Sequence, residues 1–391
     1  MKPMPKNKAD EKTYAGFEQG PIRPPSEAAS LLLRVTRNCP WNRCTFCPVY
    51  KGEKFSLRPL PHILLDIDTV ATQLERIEEY QQRYGPVTYR ELGRLADDLD
   101  EATEMALYAA HNWLAGGKKS IFLQDANSLV AKPDDIVQIL EHIRASFPWP
   151  KRITTYARAQ TIDRIEAADL ERFAAAGLNR IHIGLESGAD EVLEMVQKGT
   201  TQAQHVRAGL KVKAAGMELS EYVMPGLGGR RLSREHAMAT AAAINQINPD
   251  YIRLRTLAIP NHTELYEAWQ SGRFDKLTDL EVAEELLLFL RQLEGVTSFL
   301  RSDHILNLFQ EIEGQLPQDQ AVMAGVIENF LQLPAEERLR YQLGRRLGLL
   351  GRVNDLELPG RRERIDLACS QFGVTLDNLD EKLDELMKRF I

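Results

Sequence analysis

The sequence contains little cysteine, few aromatic residues and no long hydrophobic run. Only four cysteines occur in 391 residues, and Phe, Trp and Tyr together make up 7% of the chain. A membrane-spanning helix needs about 18 or more consecutive apolar residues, and no stretch reaches that length. The first 20 residues also lack the apolar segment of a secretory signal. We therefore expect a cytoplasmic protein without a membrane partner, in which thiols stay reduced.

An excess of charge of one sign is also missing. The formal net charge is −7, from 56 acidic and 49 basic residues that are mixed along the chain. No basic stripe marks a surface for a polyanion, so composition gives no support to nucleic-acid binding. The 43% of hydrophobic residues is typical of a globular protein that buries a large core.

Short β-rich runs alternate with helical periodicity between residue 31 and about residue 265. This alternation is typical of an α/β fold with a parallel sheet. Six such units predict a six-stranded partial (β/α)6 barrel of the TIM type. The predicted strands are 31–36, 120–126, 152–158, 180–187, 219–226 and 251–257.

Helical periodicity dominates after residue 275, including the segments that begin DLEVAEELL, SDHILNLF, DQAVMAG and LDNLDEKL. Apolar residues three or four positions apart predict a helical C-terminal domain there. We therefore expect three regions: a poorly ordered arm at 1–30, the partial barrel at 31–270 with a helical insertion at 70–117, and the helical domain at 275–391.

Three of the four cysteines, Cys39, Cys44 and Cys47, lie within nine positions in the segment CPWNRCTFC. They follow the first predicted strand directly, in a loop flanked by prolines that neither helix nor strand geometry constrains. Soft thiolate ligands suit zinc or an iron–sulfur cluster. Three cysteines would hold three irons of a four-iron cluster and leave the fourth iron open to another ligand.

Two other interpretations of the cysteines stay open. A structural zinc site needs four ligands, and His62 is the nearby candidate for the fourth, at an irregular spacing. Three unrelated buried cysteines are the second alternative, although their density argues against it. The remaining cysteine, Cys369, lies far away in sequence and is typical of a small buried apolar residue.

The cysteine segment resembles the signature of the radical S-adenosylmethionine superfamily, in which an aromatic residue precedes the third cysteine, as Phe46 does here. The first gap has four residues where the superfamily usually has three. The branch nearest in pattern is that of the oxygen-independent coproporphyrinogen oxidases and methylthiotransferases. The resemblance implies a partial barrel that carries a [4Fe-4S] cluster on Cys39, Cys44 and Cys47.

The resemblance also implies where S-adenosylmethionine would bind, strand end by strand end. LQDANSL stands where relatives carry Gly-Gly-Glu, so side-chain oxygen atoms there would hold the methionine amino group. An arginine after the next strand would pair with the methionine carboxylate. GLESGADEV matches the strand end that contacts the ribose, and YVMPGLGG lies where adenine is expected. The residues concerned are Asp125, Asn127, Arg158, Glu186, Ser187, Val223 and Gly226.

Two of these residues have an equally ordinary structural interpretation. Arg158 would serve as well in an ion pair between helices, and Glu186 as a carboxylate that caps the following helix. For Glu186 we favour the ribose contact.

The chemistry that the resemblance implies is specific, whereas the substrate is not. S-adenosylmethionine would be cleaved reductively to a 5′-deoxyadenosyl radical that abstracts hydrogen from a substrate. An external electron donor of the flavodoxin or ferredoxin type would supply the electron. Chemistry would take place at the C-terminal mouth of the barrel.

Candidate substrate contacts lie near the last predicted strand. Arg253 and Arg255 share one face of it, which suggests an anionic group on the substrate, unless they pair with an internal carboxylate such as Glu221. His304 lies on the polar face of a predicted helix and is a candidate for proton transfer if that helix covers the barrel mouth.

Three hypotheses about function follow from the sequence. The first is a radical enzyme. The second is a zinc-stabilised binding module without chemistry, and the third is an iron–sulfur sensor or electron carrier.

Overall fold

The computed structural model describes residues 13–388 and contains a central eight-stranded sheet, in the order β1-β4-β5-β6-β7-β8-β9-β10. The strands of this sheet are β1 (Leu31–Arg34), β4 (Ser120–Gln124), β5 (Arg152–Ala157), β6 (Arg180–Glu186), β7 (Glu218–Val223), β8 (Tyr251–Leu254), β9 (Phe299–Arg301) and β10 (Gly314–Gln315). A separate antiparallel pair, β2 (Thr36–Arg37) and β3 (Ser56–Leu57), brackets the cysteine loop.

Strand pairing confirms the predicted α/β architecture. β1 pairs with β4, β4 with β5, β7 with β8 and β8 with β9 in parallel, whereas β9 and β10 are antiparallel. All six predicted strands are present, as β1 and β4 to β8. They are buried almost throughout, which is typical of a parallel sheet covered by helices.

Helices fill most of the connections. Those before β8 are α1 (Leu60–Tyr84), α2 (Tyr89–Ala96), α3 (Glu101–Ala115), α4 (Pro133–Ser146), α5 (Ala159–Arg164), α6 (Ala167–Ala175), α7 (Asp190–Met195), α8 (Gln202–Ala214) and α9 (Gly229–Ile247). Those after β8 are α10 (Glu264–Gln270), α11 (Asp279–Arg291), α12 (Gln320–Gln332), α13 (Ala335–Arg346), α14 (Arg361–Phe372) and α15 (Leu379–Met387).

Local sequence signals explain several helix starts. Pro133 occupies the first turn of α4, where a missing N–H costs nothing. Thr88 before α2 and Thr278 before α11 each form a capping box with the glutamate three residues on. The apolar stripe predicted on α4 is buried, with Ile136, Ile139, Leu140 and Ile143 at most 1% exposed.

The chain divides into two compact units. Among residues 13–388, the first comprises 13–40, 49–182 and 214–217, and the second comprises 41–48, 183–213 and 218–388. The second unit has a large apolar core that joins the helical C-terminal region to β7, β8 and β9. The predicted boundary near residues 270–275 stays a prediction.

The N-terminal segment differs from the predicted arm. Residues 1–12 lie outside the described part, but residues 13–30 pack within the first unit. Phe17 is 3% exposed, and Glu18 pairs with Arg34, Arg37 and Arg58 at 3.3, 2.8 and 2.5 Å. Burial of one aromatic side chain and compensation of a charge cluster hold this segment in place.

The insertion and the C-terminal region also depart from prediction. Helix α1 begins at Leu60, ten residues before the predicted insertion. The predicted helix at SDHILNLFQEIEG does not form: residues 302–313 are irregular and lie between β9 and β10. Side chains of α13 bind main-chain oxygens of this segment, with Arg346 donating to Leu306 O at 2.6 Å and Tyr341 to Leu308 O at 3.0 Å. These bonds replace helical ones.

Within residues 13–388, no helix combines the length and the apolar character needed to cross a bilayer.

Candidate functional site

The three clustered cysteines lie on the irregular loop between β2 and β3. All are thiols of intermediate exposure. Cys39 belongs to the first unit and Cys44 and Cys47 to the second, where the Cys47 N–H donates to Cys44 O at 3.3 Å. Asn38 and Asn42 have positive φ angles of 66° and 46°, a conformation that asparagine tolerates better than most residues. As predicted, neither helix nor strand geometry constrains the loop.

Asp125, at the end of β4, fastens both ends of this loop within the first unit. Its Oδ2 accepts from the Asn38 N–H at 3.4 Å and from Arg34 Nη2 at 2.9 Å, and its Oδ1 accepts from the Tyr50 hydroxyl. Burial, and next the bond to Asp125, raise the pKa of Tyr50. Asp125 is fully buried with both oxygens engaged. In this structure Asp125 anchors the cysteine loop, and its predicted contact with the methionine amino group stays a prediction.

Asn127 is also hydrogen-bonded within the protein. It is 1% exposed, its Nδ2 donates to Thr161 Oγ1 at 2.8 Å, and its Oδ1 accepts from the Arg158 N–H at 3.2 Å. The amide therefore joins the end of β4 to the start of α5, and its contact with the cofactor stays a prediction. Arg158 itself is half-buried at the N-cap of α5, and its contact with a carboxylate of the cofactor stays a prediction.

The part of the cysteine loop that belongs to the second unit is fixed by three hydrogen bonds. Trp41 Nε1 donates to Gln197 O at 2.7 Å, the Thr45 N–H donates to Val196 O at 3.0 Å, and the Leu265 N–H donates to Thr45 O at 3.0 Å. A Cβ at Gly199 would lie 2.2 Å from Trp41 Cζ2. The indole therefore packs directly on the turn after α7. Trp41 lies in the four-residue gap between the first two cysteines, so its indole holds this longer gap against the turn after α7.

Phe46 and Glu186, both predicted to contact the cofactor, meet around a lysine. Lys198 Nζ donates to Glu186 Oε1 at 3.0 Å and lies 5.9 Å from the centre of the Phe46 ring. Glu186 has a φ of 60°, which is uncommon for a residue with a side chain and points to a functional constraint. The structure thus brings together two of the predicted residues with one that sequence reasoning missed.

Glu221 lies on β7 and is fully buried. Its carboxyl oxygens have no hydrogen-bond partner among the described residues. Burial, and next the charge of Glu186, raise the pKa of Glu221 well above its ordinary value, which favours the protonated form. It is not the partner of Arg253: Arg253 Nη1 lies 2.8 Å from Asp303 Oδ2 instead.

Three further predicted contacts face the protein interior. The fully buried Ser187 hydroxyl lies 2.8 Å from His236 Nδ1 and accepts from the Ala189 N–H at 3.0 Å, and its contact with a ribose stays a prediction. Val223 is 2% exposed and packs in the core of the second unit. Gly226 has a φ of 89°, as a glycine turn allows, but its N–H donates to Glu285 Oε1 at 2.6 Å. Each of the three therefore supports a strand end.

His304 lies on the irregular segment after β9 and not on a helix face, which corrects the predicted placement. Burial, and next the Arg255 guanidinium, lower the pKa of His304 to about 4. The imidazole is therefore neutral near pH 7, and its role in proton transfer stays a prediction. Cys369 lies on α14 and packs partly buried against the core of the second unit, and burial raises the pKa of its thiol.

The donor chemistry of the loop, rather than preformed geometry, fits a soft metal centre. Among residues 13–388, no three histidine, cysteine or carboxylate side chains already form a metal-binding group. His62, the alternative zinc ligand, is buried on α1 with its ring 5.5 Å from that of Tyr14. Three thiols on a loop free of regular secondary structure match the ligand preference of iron–sulfur clusters. Binding would require their side chains to turn toward one centre.

The residues that the sequence did not predict are those that hydrogen-bond to predicted site residues. Lys198 follows α7 in the segment VQKGTT, and its position after an amphipathic stripe that ends at glycine is the one signal that could have indicated it. Tyr50 and Arg34 support the loop by hydrogen bonds to Asp125, which lies at least 75 residues from either in the sequence. Pairing over such separations is not readable from local pattern.

In a comparison with protein families, residues 33–241 match the Radical SAM superfamily. Among curated proteins, the tRNA uridine(34) acetyltransferase of Methanocaldococcus jannaschii is 22% identical over 275 residues, which is 68% of this chain and 49% of that protein. The heme chaperone HemW of Bacillus subtilis is 20% identical over 287 residues, 67% of this chain and 75% of that protein. The chain spans about half the length of the first of these relatives.

Among solved structures, the archaeal Methanocaldococcus infernus Elp3 with an N-terminal deletion matches with a TM-score of 0.40 and 16% identity, over 62% of this chain and 55% of that one. The family match includes the cysteine loop and β1 to β7, and it extends over more than half of the sequence. The chain therefore belongs to the radical S-adenosylmethionine superfamily.

Proposed function

We propose that this protein is a radical S-adenosylmethionine enzyme that holds a [4Fe-4S] cluster on Cys39, Cys44 and Cys47. The observation that carries the proposal is the position of these three thiols, on one irregular loop inside the segment that matches the superfamily. Bound there, the cluster would supply the electron that splits S-adenosylmethionine into methionine and a 5′-deoxyadenosyl radical, which abstracts hydrogen from the substrate.

The loop's anchors serve this function by holding its two parts in place. Asp125 binds the loop at Asn38, directly before the first cysteine, and at Tyr50, three residues after the last one. Trp41 holds the middle of the loop on the turn at Gln197. Both anchors use side chains or main-chain atoms other than the three thiols.

Glu186 is the residue of the second unit best suited to contact the ribose. Lys198 occupies its Oε1, so Oε2 is the oxygen that would accept a ribose hydroxyl. Phe46 contributes apolar surface on the other side of the same lysine and packs against a buried apolar cluster, which helps to exclude water. Arg158 would pair with the methionine carboxylate.

The electron would come from an external one-electron donor of the flavodoxin or ferredoxin type. The relatives differ in the activity that their names describe, so they do not select one reaction.

The test is anaerobic reconstitution with iron and sulfide, followed by reduction in the presence of S-adenosylmethionine. We expect a brown protein with about four irons per chain that releases 5′-deoxyadenosine. Cys44→Ala should lose colour and cleavage together, whereas the matched control Cys369→Ala should keep both. An intact cluster without 5′-deoxyadenosine would favour a sensor or electron carrier, and a colourless protein with one zinc would favour a binding module. Either result overturns the proposal.

A further inference from the structure

The arginine of β8 and the arginine directly after this strand have different electrostatic environments. Arg253 is 3% exposed and its charge is compensated by Asp303, 2.8 Å away. Arg255, the first residue after the strand, is exposed, and no carboxylate among residues 13–388 pairs with it. An anionic group could therefore bind to Arg255 without displacing an existing partner.

His304 lies three residues before Asn307, whose side chain is hydrogen-bonded to the main chain on both sides of Arg255, and the imidazole is held in one tautomer. Its Nδ1 accepts the Leu306 N–H at 3.3 Å, so in the neutral imidazole the hydrogen is on Nε2. Burial, followed by the charge of Arg255, disfavours the charged imidazolium and outweighs the opposite effect of Asp303, whose carboxylate is bonded to Arg253. The side chain is thus an uncharged hydrogen-bond donor next to a permanent cation, a pair suited to an oxyanion.

The main chain around Arg255 is fixed on both sides by one buried amide. Asn307, which is 2% exposed, accepts the Thr256 N–H at 2.8 Å and donates to Leu254 O at 2.9 Å. The same segment that carries His304 is bound by α13 through Arg346 and Tyr341, as described above. The cation and its neighbour are therefore held on rigid supports, which lowers the entropic cost of binding.

We propose that Arg255 and His304 bind an oxyanion, a carboxylate or a phosphate monoester, carried by a small-molecule substrate. That the bound molecule is the substrate rests on the proposed function. A single uncompensated arginine fits one anionic group, whereas a polyanion needs several phosphate contacts. The mixed charges of a chain with net charge −7 also favour a small molecule over a nucleic acid.

The test measures protection of Arg255 from phenylglyoxal in the full-length protein, with modified peptides quantified by mass spectrometry. Inorganic phosphate and acetate are compared with chloride at equal ionic strength. We expect at least one of the two oxyanions to slow modification of Arg255 severalfold, and the stronger of the two identifies the class. Arg231, 70% exposed and paired with Glu191, is the control site and should be unaffected.

A variant separates binding from general accessibility. In His304→Gln, Arg255 should still react, but protection by the oxyanion should weaken, because one donor is changed. Equal reactivity of Arg255 in all salts would overturn the proposal. Protection by a single-stranded oligonucleotide alone, without an effect of phosphate or acetate, would overturn it in favour of a nucleic acid. Since the assay requires neither iron nor S-adenosylmethionine, protection without 5′-deoxyadenosine release would refute the proposed function and leave this site standing.

Discussion

Removal of the Asp125 carboxylate is the sharpest test of how the cysteine loop is supported. Asp125→Ala leaves Arg34, only 13% exposed at its side chain, without its nearest acid. The Asn38 N–H and the Tyr50 hydroxyl lose an acceptor at the same time. Breaking a buried ion pair from one side typically costs about 3–5 kcal/mol.

Part of this cost is offset, because Glu18 Oε2 lies 3.3 Å from Arg34 Nη1 and still compensates the guanidinium. We therefore expect a loss near the lower limit, about 3 kcal/mol, which lowers the folding equilibrium constant roughly a hundredfold. The assay is urea unfolding of the protein without iron, read as the shift of the transition midpoint at unchanged slope.

The matched control is Asp134→Ala. Asp134 pairs with Arg172 at 2.6 Å, but the two side chains are 76% and 46% exposed. A surface pair of this kind contributes at most about 1 kcal/mol. Iron bound after reconstitution should fall in the Asp125 variant and not in the control. Equal stability and equal iron content in the two variants would refute the anchoring role of Asp125.

Two further predictions concern substitutions at single positions. Gly199→Ala should destabilise the protein more than Gly216→Ala in urea unfolding. Both glycines have a positive φ, 70° and 77°, a conformation that costs an alanine about 1–2 kcal/mol. Only the Cβ added at Gly199 would also collide with Trp41. Equal losses would mean that the indole moves away freely. As pH rises above about 4.5, the free energy of unfolding of Glu221→Gln should increase relative to that of the wild type. The raised pKa means that the folded wild type binds more protons than the unfolded chain and loses stability over that range. Glu191→Gln, at an exposed ion pair, is the control for the loss of one surface carboxylate. An equal effect of Glu221→Gln at pH 5 and pH 8 would contradict the assignment.

Much of the fold was readable because its signals are local. Alternating apolar runs and helix caps depend on neighbours within a few residues, so β1, β4 to β8 and the start of α4 were predictable from sequence. The irregular conformation of residues 302–313 was not predictable, because the apolar residues of this segment have helical spacing. Its carbonyl groups bind Arg346 and Tyr341, which are more than 30 residues away, and tertiary hydrogen bonds of that kind override periodicity.

The sequence by itself determined the family, the parallel α/β plan and the three cysteines with their chemical character, since these depend on residue type, spacing and order. Only the tertiary structure decided which polar side chains near the strand ends are committed to the protein itself. Asp125, Asn127 and Ser187 are buried and hydrogen-bonded, whereas Arg255 is exposed and uncompensated. The physical reason is that burial requires a polar group to find a partner, and which partner is within reach depends on how distant segments pack.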